Sequence, residues 1–399
     1  MLSKVAQNLK TSPTLFLVAR AKELQSQGHD VISLTVGEPD WPTFDVPTRA
    51  GIEAIQNNIT KYTAASGTIE LRKVIAEKNK NELGVSYSLQ EITVASGAKY
   101  IIYAALAMIC DPGDEVIIHS PYWVSYPTMI ELAGGKPVVI NCDEKEGFKL
   151  TPEQLENAIT SRTKGFLFCS PSNPTGLMYS KEELKGFANV FKKHPRIVIL
   201  SDDIYNSLVF NGDQVAPHLL HVAPELKERL VAINGGSKAY SMTGWRIGWA
   251  AGPQKLIQAM ADFQSQTTGA ASSIAQHALM AAIQKCAPDI KKVNETLVKR
   301  KINALNELKK IPHLKVIDPP AAFYLWVNIK SYLGKTYNGQ PIRTDKDFAE
   351  IFLTQFFVAT VPGTECGSNG YLRLSFATTE EKMRSAVARL SDFVAQIKT

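Results

Sequence analysis

Between residues 91 and 252 the chain alternates short, unbroken apolar runs with helix-length segments. Seven runs predict strands: EITVASG (91–97), DEVIIHS (114–120), PVVINC (137–142), GFLFCS (165–170), IVILSD (197–202), LVAING (230–235) and RIGWAAG (246–252). Most are continuous rather than alternating, the pattern of strands buried on both faces of a parallel sheet. Helical stretches such as 98–110 and 180–193 fall between them. The order is therefore βαβ, and an α/β domain follows, with a mostly parallel seven-stranded sheet between helices. After Pro288 the pattern changes. The long charged amphipathic segment DIKKVNETLVKRKINALNELKK leads into AFYLWVNI, FVATVPG and YLRLSFA, which predict a smaller α+β domain. A length of 399 residues suits two domains. The predicted boundaries are 46–285 for the large domain, 1–45 for an N-terminal segment with part of the small domain, and 286–399 for the small C-terminal domain.

Composition narrows the partners. Apolar residues make up 45% and charged residues 21%, ordinary for a globular protein. The net charge of +6 comes from lysines spread along the chain, which suits an anionic ligand better than nucleic acid. No run reaches the roughly 18 apolar residues of a membrane helix. The basic N-terminus MLSKVAQNLKTSPTLFLVARAKEL has no acid before Glu23, but its periodic apolar positions read as the first helix of the fold and not as a transit peptide. A cytoplasmic location is expected. The five cysteines are odd in number and far apart, which argues against a disulfide framework and against zinc. His218 and His221, with Asp213 near, read as a surface loop, so no metal is expected.

The chemistry gathers where strands end. The runs continue into SGAKY, SPYWVSYP, SPSNPTG, SDDIY and GGSKAY, and ligands of open α/β sheets bind outside the carboxyl ends of strands. A dinucleotide is disfavoured, because no two of the 25 glycines are separated by a single residue. Lys238, between Gly235, Gly236 and Ser237 on one side and Arg246 on the other, reads as a desolvated amine able to attack a carbonyl. Pyridoxal phosphate is the carbonyl it would bind most usefully. The phosphate of that cofactor calls for a helix start, supplied by SGAK (96–99), and a guanidinium, supplied by Arg246. Its ring nitrogen calls for an anion, and Asp202 at the end of a buried run fits. A contact at ~4 Å and an effective dielectric of ~20 is worth about 4 kcal/mol, enough to keep that nitrogen protonated. Trp123 offers a flat face for the ring.

On NPTG (173–176), SDDIY (201–205), SKAYSMTGWRIGW (237–249) and YLRLSFA (371–377), the chain resembles class I, fold-type I pyridoxal-phosphate aminotransferases, above all the bacterial aspartate subgroup. The likeness extends through VGEPD (36–40), YTAASGTIELR (62–72) and DPGDEVIIHSPYWVSYP (111–127), nearly the whole chain. The resemblance implies that the small domain draws on both termini. It implies that Lys238 bonds to the cofactor and later shuttles a proton. Asp202 would pair with the ring nitrogen, Tyr205 and Asn173 with the phenolic oxygen, and Trp123 would stack. Gly97, Ala98, Lys99, Ser237 and Arg246 would hold the phosphate, joined by Tyr62 from a second subunit of a homodimer. Arg373 would take the substrate α-carboxylate, with Asn173 and the backbone of Gly37. Three positions depart from the family pattern: Gly235 lacks a usual hydroxyl, Ala321 replaces a usual glycine, and Ala65 a frequent proline.

The resemblance also implies that Lys99 reads a distal carboxylate. A lysine at a helix start opposes the helix dipole, which favours a ligand role. L-Aspartate with 2-oxoglutarate is the expected pair. Prephenate is an alternative within the subgroup, with Lys10, Thr11 and Ser12 as candidate determinants. Aromatic or alanine transfer, and less so a C–S lyase, are the other possibilities.

Overall fold

The computed structural model describes residues 1–3, 6–7, 9 and 13–398; Lys10, Thr11 and Ser12 lie outside the described residues. The seven expected strands are present: β1 (Ile92–Ala95), β2 (Glu115–Ser120), β3 (Lys136–Asn141), β4 (Thr163–Cys169), β5 (Val198–Asp202), β6 (Leu230–Gly235) and β7 (Gly248–Ala251). They form one sheet in the order β1-β7-β6-β5-β4-β2-β3. β2 to β6 pair in parallel, whereas β7 runs antiparallel to both of its neighbours. The connection 236–247 between β6 and β7 carries no helix, so the chain doubles back instead of crossing over.

Successive residues of a strand face opposite sides of a sheet, and this parity sorts the core. Leu200, Val231, Ile233 and Ala250 join the layer containing the helix Ala98–Ile109, while Ile199, Leu230, Ala232 and Ala251 join the opposite layer. In that second layer lies the helix Lys181–Lys193, started by a capping box of Ser180 and Glu183 and buried through Leu184, Phe187 and Phe191. The same parity turns Asp202 towards the first layer and Ser201 and Asp203 towards the second.

The long helix Ala287–Leu308 leads to an antiparallel sheet of Lys315–Val316, Tyr324–Asn328, Tyr371–Ser375 and Val361–Pro362. The N-terminal part of the chain joins this body. Ile32–Ser33 pairs in parallel with Val358–Ala359, and Ser375 N donates to Leu34 O at 2.9 Å. Asp40 is held by both terminal nitrogens of Arg300, at 2.7 and 3.0 Å. One expectation is corrected: His218 is 6% exposed and not a surface residue. Its Nδ1 accepts from Leu220 N at 3.1 Å and so caps the short helix Leu219–Val222.

Candidate active site

All the predicted site residues except Gly97 and Tyr62 line one cavity of about 310 Å³ at the carboxyl ends of the parallel strands. Gly97 stands just behind it as the cap of the helix Ala98–Ile109. Its φ of 93° is one that side chains disfavour, and a Cβ there would lie 2.7 Å from Arg246 Nη2. The glycine thus lets the guanidinium lie against the helix start. Gly248 acts similarly from β7, where a Cβ would meet Ala98 N at 2.7 Å.

The end of the cavity at the helix start is open and positive. Arg246 donates from Nη1 to Thr243 O at 2.7 Å and has no acid partner among the described residues. Lys99 Nζ sits 4.8 Å over the ring of Trp123. Desolvation and then the neighbouring Arg246 lower the proton affinity of that amine. A helix start with two unneutralised cations is a site for an anion.

The centre is buried. Asp202 is 4% exposed, and its Oδ2 accepts from Tyr126 OH at 2.6 Å. Burial raises its pKa to about 6, against the lowering effect of the Tyr126 hydrogen bond. Tyr126 meets Trp123 edge-on, with centroids 5.5 Å apart. Lys238, in the turn after β6, donates to the carbonyl of Gly37. Desolvation lowers its pKa to about 8, offset in part by Glu38. A carboxyl pushed up and an amine pushed down mark groups that pay for burial without a mutual partner. The tyrosine pair Tyr205 and Tyr324 closes this part of the wall, hydroxyl to hydroxyl at 2.6 Å.

The far end is a buried cation. Arg373 is 2% exposed, donates from Nη1 to Asn173 Oδ1 at 2.9 Å, and also donates to Thr35 O. Its guanidinium lies 4.7 Å from the ring centre of Tyr324. Its Nε has no partner, and no carboxylate pairs with it among the described residues. A buried guanidinium without an acid is costly unless a ligand completes it.

These groups fit pyridoxal phosphate on structural grounds: anion-binding cations at one end, a buried carboxyl for a ring cation, and a weakened amine for an aldehyde. Tyr62 stands apart, fully exposed on the surface. Three contributors were not anticipated. Tyr126 lies in SPYWVSYP, where nothing marks its hydroxyl apart from that of Tyr122, Tyr324 sits in the apolar run AFYLWVNI and reads as core, and the carbonyl of Thr35 carries no side-chain signal.

The chain belongs to the aminotransferase class I and II family, whose model matches residues 29–390. It is a pyridoxal-phosphate-dependent aminotransferase of fold type I. It is 44% identical to the aspartate/prephenate aminotransferase of Cereibacter sphaeroides, over 99% of this chain and 98% of that one. It is also 44% identical to the aspartate aminotransferase of Rhizobium meliloti, over 96% and 94%. Among solved structures, an aspartate aminotransferase from Rhizobium meliloti superposes with a TM-score of 0.96 at 41% identity, covering 100% of both chains. The Thermus thermophilus enzyme with maleate superposes at 0.91 and 38% identity, over 98% and 99%.

Proposed function

We propose that the protein transfers the amino group of L-aspartate to 2-oxoglutarate, giving oxaloacetate and L-glutamate. The observation that carries this reading is a cavity with a cation at each end of the substrate position: buried, acid-free Arg373 and, across the cavity, Lys99. Two carboxylates on one small substrate satisfy both. The aspartate relatives and the maleate-bound neighbour support it.

Pyridoxal phosphate, when bound, supplies an aldehyde to receive the amino group and a ring that withdraws electrons from the substrate carbon. Gly97, Ala98, Lys99, Ser237 and Arg246 hold its phosphate, and Asp202 keeps a proton at its ring nitrogen. Tyr205 and Asn173 serve its phenolic oxygen, and Trp123 its face. Arg373, with Asn173 and the backbone of Gly37, orients the α-carboxylate. Lys238, with a pKa of about 8, releases and takes up a proton near neutral pH, as moving the proton at the substrate carbon requires.

The active unit in this reading is a homodimer. Ile52, Ile55, Ile59 and Ile69 are exposed around Tyr62, and a second copy of the chain would cover them and bring Tyr62 to its own phosphate site. The large domain of 46–285 and the small one from 1–45 and 286–399 belong to the same reading. So does a cytoplasmic location, which five free cysteines suit. Among the described residues no helix is long and apolar enough to cross a membrane.

A recess of about 650 Å³ supports a second reading, in which a bulkier dicarboxylate such as prephenate is also accepted. It shares Lys99 and Ser125 with the main cavity and is lined by Leu17, Val124, Met129 and Leu132. The deciding test is the visible spectrum of the purified holoenzyme with L-aspartate and no keto acid. Bleaching of the cofactor band supports the proposal; a band that persists with aspartate but bleaches with another amino donor overturns the substrate.

A further inference from the structure

Behind Asp202, on the opposite face of the sheet, lies a second buried carboxylate with its own polar setting. Asp203 is 3% exposed, and its backbone N–H donates to Ile233 O at 2.8 Å, which fixes it against β6. Its Oδ1 accepts from Ser201 Oγ at 2.7 Å. Its Oδ2 faces His218 Nε2 at 3.3 Å. That contact lacks hydrogen-bond geometry, and His218 Nε2 has no hydrogen-bond partner among the described residues.

The ring of His218 is oriented by its other nitrogen. Nδ1 accepts the N–H of Leu220 and so carries no proton. The ring therefore carries its single proton on Nε2, which lies 3.3 Å from Asp203 Oδ2 without hydrogen-bond geometry. A second proton on Nδ1 would break the cap of the helix Leu219–Val222. Asp203 thus has one neutral side-chain donor, Ser201, with singly protonated His218 beside it and no lysine or arginine paired with it among the described residues, one position from Asp202.

We propose that Asp203, oriented by Ser201 and by its backbone bond to β6, is a positioning residue that strengthens the hold of Asp202 on the protonated ring nitrogen of the cofactor. It rests on the reading of Asp202 as the partner of that nitrogen. The Asp203 charge is among the influences that raise Asp202, after burial and against Tyr126. The other titratable groups that feel it are Cys169 and Tyr87, both pushed up chiefly by burial, and His221, pushed down chiefly by burial. None of these is a cation that would neutralise Asp203.

The test compares two ligands on the apoenzyme: pyridoxal phosphate, and its carbocyclic analogue with carbon in place of the ring nitrogen. Asp203→Asn should weaken pyridoxal phosphate roughly tenfold, the scale of two charges about 12 Å apart at an effective dielectric of ~20, and leave the analogue unchanged. Asp203→Glu should restore the preference. Equal weakening of both ligands would mean a merely structural role, and no change in a folded variant would also overturn the proposal. Asp202→Asn is the control. If it keeps the preference for the nitrogen-bearing ligand, the reading of Asp202 itself has failed. Should Asp203→Asn not fold, ¹⁵N NMR of the wild-type histidines decides: His218 must show the neutral Nε2–H form at neutral pH, and a doubly protonated ring would overturn the argument.

Discussion

In the proposed reading, the two ends of the cavity bind anions, a phosphate and a carboxylate, by opposite means. At the phosphate end the cations are on the surface: Arg246 and Lys99 are both exposed, and the directional donors are the backbone N–H groups of a helix start. At the carboxylate end one guanidinium is buried at 2% exposure and braced by Asn173, Thr35 and the face of Tyr324. A ligand that stays bound through many turnovers can rely on many modest contacts. A substrate that comes and goes needs one strong group whose cost of burial is met by the fold beforehand. The difference separates retention from selection.

The comparison breaks first at Arg373. Arg373→Leu should lower kcat/KM for L-aspartate roughly a thousandfold, the range for losing one partner of a buried charge pair, while cofactor affinity stays within about threefold. Comparable losses in both would erase the distinction between the ends. Asp202, between them, tests whether the site is built before any ligand arrives. The native state holds the Asp202 proton up to about pH 6, whereas the unfolded chain releases it near 3.8. Between these values the native state binds more protons, so stability should fall as pH rises from about 4 to 6. Asp202→Asn should remove about 3 kcal/mol of that fall from the apoenzyme, measured by urea unfolding at both ends of the window. Arg246→Leu should raise the cofactor Kd some tens of fold, roughly the value of one charge-assisted bidentate contact, with kcat at saturating cofactor changed only a few-fold. The smallest effect is expected at exposed Lys99. Lys99→Met should raise KM for aspartate about tenfold and leave KM for alanine nearly unchanged; an equal rise for both would show that the amine serves only the phosphate.

Much of this was legible in the sequence because backbone chemistry leaves a pattern. Unbroken runs such as EVIIHS and VILSD announce strands covered on both faces, and the polar residues just past their ends announce the site. Lys238, Asp202 and Arg246 could be read because a charge amid small or apolar neighbours needs an explanation. Tyr126 and Tyr324 could not, since a tyrosine is mostly ring, and only the fold shows where its hydroxyl points. His218 was misread for the opposite reason. Grouped with His221 and Asp213 it reads as a loop, while its burial beside Asp203 is set by tertiary packing and its bond from the N–H of Leu220 by the local helix start. The reversed direction of β7 was hidden as well, because an apolar run has no polarity.

The bond between Arg373 and Thr35 spans 338 positions of the chain. Closing a loop of that length costs about 5 kcal/mol in entropy, a cost shared with the neighbouring contacts of Ser375 with Leu34 and of Val358–Ala359 with Ile32–Ser33. The seven-stranded sheet is complete by Ala251, yet the α-carboxylate clamp needs a strand that ends at Ser375 and a segment beginning near Ile32. During synthesis the cofactor platform can therefore form long before substrate can be recognised. A nascent chain that extends past Ala251 but not yet to Tyr371 carries every residue proposed to hold the cofactor and lacks Arg373, so the amine of Lys238 is matched to a substrate only once translation has run almost to its end.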